Sequence, residues 1–368
     1  MLSLFITKPT VLVDEKKVRR NIKKMNDKAH ANRVKFRPHF KTHQSAEIGE
    51  WFKEMGIKCI TVSSQEMAAY FARNGWDDIT VAFNVNVLEI DRICALSKRI
   101  KLTLLVDNLE TVSALKNKLE RPHDLFIKVD TGYGRTGIPW LKRDKVLSLA
   151  KKIKEYSAFN FVGLLTHAGH SYKTDQPEKT LQVHEESISR LNFLKKYLMN
   201  SGFNPCLLSI GDTPCCSIAN NFKDVDEIRP GNFVFYDLIQ NQIGSCRTDE
   251  IAVTVACPVV GRYPDRDQLV IYGGGIHLSK EFILNAQGNR VFGYLTPMKN
   301  GKWGQLNENV FISSVSQEHG VVNAPRSFIK KTQIGDILLF FPVHSCLLGP
   351  LNGYYLTLKG KKIKCMSE

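Results

Sequence analysis

Long apolar runs are missing from this chain, and so are CxxC pairs, repeated motifs and low-complexity linkers. The first absence argues against a membrane-spanning helix, which needs about 20 consecutive apolar residues. The second removes the usual thiol redox and zinc spacing. Nine cysteines, an odd number scattered through 368 residues, do not make a disulfide framework. The segment Met1-Leu2-Ser3-Leu4-Phe5-Ile6 is apolar, but it lacks a basic n-region and is too short for a secretory h-region. These absences predict a cytoplasmic protein with reduced thiols. Carboxylates are also short: 36 Asp and Glu stand against 51 Lys and Arg, a net charge of +15. A nucleic-acid surface needs basic residues gathered on one face with aromatics among them. Here they are spread, and runs such as Lys151-Lys152, Lys195-Lys196 and residues 359–364 read as solvated faces or a tail. The excess of positive charge points to an anionic small ligand. Hydrophobic residues at 43% and charged residues at 24% exclude a disordered chain.

What is present is a rhythm. Short β-branched or apolar runs recur at residues 34–39, 59–62, 79–83, 102–106, 125–129, 161–166, 206–210 and 227–229 or 233–236. Between them lie amphipathic stretches of helical length, among them residues 45–55, 65–74, 88–98, 109–118, 142–156 and 178–199. Strands alternating with helices imply parallel βαβ units, and eight of them closed on themselves make a (β/α)₈ TIM barrel, an α/β fold. A strand-like piece at residues 10–14 and a helix at 15–30 precede the first unit. After about residue 240 the helical patterns stop. Strand-like runs at 251–255, 268–272, 290–295, 310–315, 336–341 and 354–358, separated by turn residues, predict an all-β second domain. The expected division is 1–240 for the barrel and 241–368 for the β domain, with residues 1–14 available to pair with the latter.

A TIM barrel carries its site at the C-terminal ends of its strands. Those positions are rich in polar and glycine residues: His39-Phe40-Lys41-Thr42-His43 after strand one, Asp130 to Arg135 after strand five, His167, His170 and Tyr172 after strand six, Gly211-Asp212-Thr213 after strand seven, and Arg229 to Asn232 after strand eight. The last two loops offer backbone N–H groups and a hydroxyl where this fold binds phosphate. Lys41 follows a buried strand. Desolvation there can strip its charge, and a neutral amine forms a Schiff base with an aldehyde.

The runs Arg37-Pro38-His39-Phe40-Lys41-Thr42-His43, residues 129–137 (VDTGYGRTG), residues 166–172 (THAGHSY) and Glu227-Ile228-Arg229-Pro230-Gly231 resemble the alanine-racemase-like, fold-type III pyridoxal-phosphate (PLP) enzymes. Within these they resemble most the D-serine dehydratase and D-threonine aldolase group, over nearly the whole chain. The resemblance implies that Lys41 carries PLP and that His167 lies against its ring. It implies that Tyr172, Thr213, Gly231 and Asn232 bind the cofactor, several of them at its phosphate. An arginine faces the pyridine nitrogen in such enzymes; Arg229 matches that position and Arg135 competes for it. A homodimer is implied as well.

A second motif, His344-Ser345-Cys346, joins an imidazole and a thiol, both zinc ligands, at the expected end of a strand, where alternate side chains share one side. The resemblance places a metal pair near here. Cysteine at the second position is similar to the zinc-dependent D-serine dehydratases, whereas the aldolases would carry aspartate and Mn²⁺ or Mg²⁺. Together these features predict a lyase that eliminates water from D-serine, with Lys41, His344 and Cys346 as catalytic residues. Lys41 would remove the α-proton and zinc would assist loss of the hydroxyl, giving pyruvate and ammonia. The alternatives are a D-threonine (or D-3-hydroxy amino acid) aldolase, an amino acid racemase, and a PLP-carrier protein without turnover.

Overall fold

A computed structural model of the chain describes residues 6–116, 118–119 and 122–366. They fall into two units. One comprises residues 24–41 and 52–231, and the other comprises residues up to 23, residues 42–51 and residues from 232 onward. No helix among the described residues is long and apolar enough to cross a membrane.

The chain begins with β1 (Thr10–Val13), all four residues buried. It pairs antiparallel with residues 253–256, so this early strand belongs with the C-terminal sheet. Helix α1 (Glu15–Ala31) follows. Its buried residues Val18, Ile22, Met25 and Ala29 recur every three or four positions, the stripe that holds an amphipathic helix to a core.

The first unit is the barrel. Its strands are β2 (Lys35–Phe36), β3 (Ile60–Val62), β4 (Asp78–Asn84), β5 (Lys101–Val106) and β6 (His123–Asp130), then, after the short β7 (Ile138–Pro139), β8 (Phe159–Leu165), β9 (Leu207–Ile210) and β10 (Glu227–Ile228). They lie in the order β2-β10-β9-β8-β6-β5-β4-β3, with parallel pairing throughout. Closure comes from a parallel bridge between His39 and Thr61. Phe40 N donates to Thr61 O at 2.9 Å, and Thr61 N donates to Pro38 O at 2.9 Å. Only two residues of β2 pair regularly, because Pro38 has no N–H to give to a ladder.

Connecting helices include α2 (Ala46–Lys53), α3 (Gln65–Arg73), α4 (Ile90–Ser97), α5 (Leu109–Lys116), α6 (Arg143–Glu155), α7 (Pro177–Asn200) and α8 (Thr213–Ile218). In α6 the buried residues Val146, Leu149, Ala150 and Ile153 again form one stripe. Gly163 is required where β8 meets β9: a Cβ there would fall 2.0 Å from Leu207 O, and its φ of 152° suits glycine.

The second unit holds α9 (Leu238–Ile243) and a mostly antiparallel sheet with β11 (Val253–Tyr263), β12 (Gln268–Tyr272), β15 (Gly293–Leu295), β16 (Asn307–Val315), β17 (His319–Asn323), β18 (Ile337–Pro342), β19 (Tyr354–Thr357), which pairs parallel with β1, and β20 (Lys362–Lys364); β13 (Ile283–Leu284) and β14 (Arg290–Val291) form a separate hairpin. Strand β11 pairs with β18 through Val255–Pro258 and with β12 through Val259–Tyr263, with a register shift between Val259 and Gly261. That bulge turns the strand so that β11, β12, β17, β16, β15 and β18 close into a small barrel, flanked by β1, β19 and β20. Closure removes exposed sheet edges.

Candidate active site

In the first unit the site residues sit on the loops after the barrel strands. Phe40 is fully buried and packs against Phe52, Phe71 and Trp76 at ring separations of 4.9, 5.0 and 5.0 Å. This cluster anchors the turn that carries Lys41, whose backbone N–H donates to His39 Nδ1 at 3.3 Å. The loop after β6 is folded by one carboxylate. Asp130 Oδ1 accepts the N–H groups of Gly132, Tyr133 and Gly134 at 2.9, 2.8 and 3.1 Å. Tyr133 then lies over Gly169, where any Cβ would enter its ring, and meets the His167 ring at 5.9 Å. Arg135 is exposed and stacks on Tyr133 at 5.0 Å.

His167 follows β8. Its Nδ1 is 2.7 Å from Gly211 O, an acceptor, so the proton sits on that nitrogen and the tautomer is fixed. Burial holds the imidazole well below its ordinary pKa, and Lys128, Lys41 and Arg135 push the same way. Tyr172 accepts the Thr213 N–H through its hydroxyl at 3.4 Å. Asp212 caps α8 by accepting the Cys215 N–H at 2.8 Å, which leaves Thr213 buried at the helix start.

Arg229 is buried inside the barrel. It donates from Nε to Ser209 Oγ at 2.7 Å and from Nη2 to Thr166 O at 2.5 Å and to Ser209 O at 3.3 Å. Burial lowers it to about 10. The structure thus separates the two candidate arginines: Arg229 is a fixed interior cation, Arg135 a loop cation on an aromatic face.

One residue beside His167 escaped the sequence reading. Lys128 is buried in β6, and burial, with Arg229 and Arg135 nearby, lowers it to about 7. The signal was available: a lysine within the apolar run Leu125–Val129 is anomalous in a barrel strand. Lys41, Lys128, Arg135 and the neutral His167 therefore share one neighbourhood with an excess of positive charge. That is a charge environment an anionic aldehyde such as PLP fits, with an amine to hold it.

In the second unit His344 and Cys346 are brought together, though not by strand alternation. Strand β18 ends at Pro342; His344 precedes a 3₁₀ turn, Ser345–Leu347, that contains Cys346. Cys346 Sγ lies 3.2 Å from Thr42 Oγ1 and 3.5 Å from Asn232 Nδ2. The Asn232 amide also donates to Asp237 Oδ2 at 2.6 Å and Ser345 Oγ at 2.9 Å, so its side chain serves this turn. His344 Nδ1 lies 3.2 Å from Asp237 Oδ2. Burial disfavours charge on His344, but Cys346 and Asp237 outweigh it and push the imidazole up to about 12. Burial would likewise raise Asp237, yet His344 and the Ser345 and Gln240 N–H groups hold it below the usual carboxylate range.

Among the described residues no three His, Cys, Asp or Glu side chains converge as a closed metal cage. Two protein ligands beside a buried anion still fit a zinc ion that keeps open positions for substrate or water.

The chain matches the alanine racemase N-terminal domain over residues 13–238 and the putative serine dehydratase domain over residues 252–358. It is 31% identical to D-serine dehydratase of Dictyostelium discoideum over 94% of this chain and 92% of that one. It is 26% identical to D-threo-3-hydroxyaspartate dehydratase of Delftia sp. strain HT23, over 94% and 92%. The solved structure of the Delftia enzyme superposes with a TM-score of 0.90, covering 100% of this chain and 99% of that one at 25% identity. That enzyme has also been solved as a cysteine-to-alanine mutant in the metal-free form and as a histidine-to-alanine mutant, the two altered positions two residues apart. A D-threonine aldolase of Arthrobacter sp. is 23% identical over 62% of this chain and 61% of its own. The chain belongs to the D-serine dehydratase and D-threonine aldolase family of alanine-racemase-like enzymes.

Proposed function

We propose that this chain is a PLP- and zinc-dependent lyase that removes the β-hydroxyl of D-serine, giving pyruvate and ammonia. The observation that carries the choice of reaction is the His344/Cys346 pair held on one turn, with the Cys346 thiol 3.2 Å from Thr42 Oγ1. Thr42 is the residue covalently next to Lys41. The similarity to dehydratases over 94% of the chain supports it, as does the histidine and cysteine spacing of the altered Delftia enzyme.

Lys41 would hold the cofactor by its amine; Thr213, Gly231, Tyr172 and the Asn232 N–H would hold the phosphate. Arg229 would face the pyridine nitrogen, and Arg135 would lie at the loop edge. When bound, PLP supplies an aldehyde for the substrate amine and a ring that withdraws electron density from Cα, and zinc on His344 and Cys346 supplies a Lewis acid for the β-hydroxyl. Lys41 Nζ is the base that takes the α-proton. His167, kept neutral with its proton on Nδ1 by Gly211 O, offers an uncharged face to the ring. A guanidinium donates hydrogen bonds and accepts none, so Arg229 would favour an unprotonated pyridine nitrogen, which leaves the ring a weaker electron sink. Assistance at the leaving hydroxyl offsets that weakness. We place the enzyme in the cytoplasm as a homodimer, with a small D-amino acid as its partner and neither nucleic acid nor membrane.

A D-3-hydroxy amino acid aldolase is the second reading, supported by the similarity to D-threonine aldolase over 62% of the chain. Incubation with D-serine and D-threonine, with and without EDTA, separates the two. Pyruvate and 2-oxobutyrate, both lost on chelation, are the expected products; glycine and acetaldehyde from D-threonine would establish the aldolase.

A further inference from the structure

Asp237 belongs to none of the sequence motifs, yet its buried carboxylate gathers groups from three stretches of the second unit. Oδ1 accepts the Gln240 N–H at 3.0 Å and so caps α9. Oδ2 accepts Asn232 Nδ2 at 2.6 Å and the Ser345 N–H at 2.8 Å, and lies 3.2 Å from His344 Nδ1. A helix cap needs one oxygen. The other is committed to the turn that carries His344 and Cys346.

We propose that Asp237 is a positioning residue that sets the tautomer of His344, keeping the proton on Nδ1 so that Nε2 presents its lone pair to the metal. The proposal rests on the zinc reading above. An imidazole binds a metal through its unprotonated nitrogen, and the hydrogen bond made by the other nitrogen decides which one that is. His344 Nδ1 is sealed from solvent and has no aligned hydrogen-bond partner among the described residues. The carboxylate oxygen 3.2 Å away is the anionic acceptor in reach. Asp237 cannot readily swing away, because Asn232, Ser345 and Gln240 grip both its oxygens. Ser345 lies between the two ligands, so the carboxylate fixes the turn's backbone and the histidine ring together. A carboxylate also raises the basicity of the imidazole it holds and offsets part of the metal's charge, which an amide would not do.

The test uses the full-length protein and the variants Asp237→Asn and Asp237→Ser. Asparagine and serine are both competent helix N-caps, so α9 keeps its cap while the carboxylate is lost. Zinc affinity is measured by competition with a chelator. In addition, ¹⁵N spectra of zinc-loaded, histidine-labelled parent protein report which nitrogen of His344 binds the metal. The expected results are a loss of about 10- to 100-fold in zinc affinity in the variants and ligation through Nε2 in the parent. Undiminished affinity in the variants, or ligation through Nδ1 in the parent, overturns the role of Asp237 and leaves the zinc reading standing. A parent protein that binds no zinc overturns both. Should neither variant fold, the ligating nitrogen of the parent still decides.

Discussion

Arg229 and Glu227 are joined through a single hydroxyl: Ser209 Oγ accepts from Arg229 Nε and donates to Glu227 Oε1, each at 2.7 Å. The chain continues, since Glu227 Oε2 accepts from Arg37 Nε at 2.6 Å and Arg37 Nη1 donates to Asp78 Oδ1 at 2.7 Å. Two arginines and two carboxylates therefore alternate through the barrel, and each buried charge has an opposite neighbour. Removing one member costs more than the bond it makes, because its neighbours stay buried. Ser209→Ala is expected to destabilise the protein by about 1–3 kcal/mol by stranding Arg229 Nε. Glu227→Gln, which leaves the buried Arg229 without its carboxylate neighbour in this chain and Arg37 with Asp78 alone, is expected to cost about 3–5 kcal/mol. Urea unfolding of the two variants checks the order as well as the sizes.

Lys128 makes a prediction of its own. Its folded pKa is lowered to about 7 from 10.5, chiefly by burial. Between those values the unfolded chain binds a proton that the folded chain does not, so stability rises with pH across this window. Below about pH 7 both states are protonated and the penalty is complete. Lys128→Met should therefore stabilise the cofactor-free protein at pH 6 by on the order of 1 kcal/mol or more, and flatten the rise between pH 7 and 10. Unfolding curves at pH 6, 8 and 10 measure it. An unchanged slope would mean the lysine is not desolvated as its burial implies.

The barrel was legible because its signals are local. Apolar runs of strand length alternate with stripes such as Val146, Leu149, Ala150 and Ile153, and the C-terminal strand ends carry Lys41, His167 and Thr213, whose roles the family resemblance and not position supplies. The β unit was less legible. Strand β17 begins with the polar His319 and Gly320, and β20 is the lysine-rich Lys362–Lys364, so neither shows an apolar pattern; pairing to neighbours, not composition, makes them strands. The run read at 290–295 divides at Phe292 into a hairpin arm and a barrel strand. His344 and Cys346 were found by spacing, but strand alternation was the wrong reason: the strand ends at Pro342 and a 3₁₀ turn places them. Asp237 could not be found at all. In sequence it is an ordinary helix cap, and its tie to Ser345 spans 108 positions.

Lys41→Ala should lose both the visible absorbance of bound PLP and turnover of D-serine. The fold should survive, because Phe40 and not Lys41 carries the packing of this turn. Truncating Phe40 to alanine is the contrasting case, with an expected stability loss of about 3–5 kcal/mol from the cavity left among Phe52, Phe71 and Trp76. Absorbance, borohydride reduction with peptide mapping, and thermal melts distinguish the two. A Lys41→Ala protein that still traps PLP covalently would place the reactive amine elsewhere, and Lys128 would then be the residue to test.

Cys346→Ala separates the cofactor from the metal. Of the groups proposed to hold PLP, Asn232 meets Cys346 Sγ through its side-chain amide at 3.5 Å, and its proposed role is through its backbone N–H, so the variant should bind PLP with an unchanged absorbance band. The metal pair, by contrast, is reduced to one histidine. Lewis-acid assistance at a leaving oxygen supplies several kcal/mol, so elimination should fall by about a hundredfold or more. Added zinc should restore little of it, because a ligand is missing and not merely the ion. EDTA treatment of the parent enzyme should give a comparable loss, but there added zinc should restore activity in full. Pyruvate formation and metal content, followed together, read out each arm. Elimination that persists after complete removal of zinc would assign the departure of the hydroxyl to a protein acid.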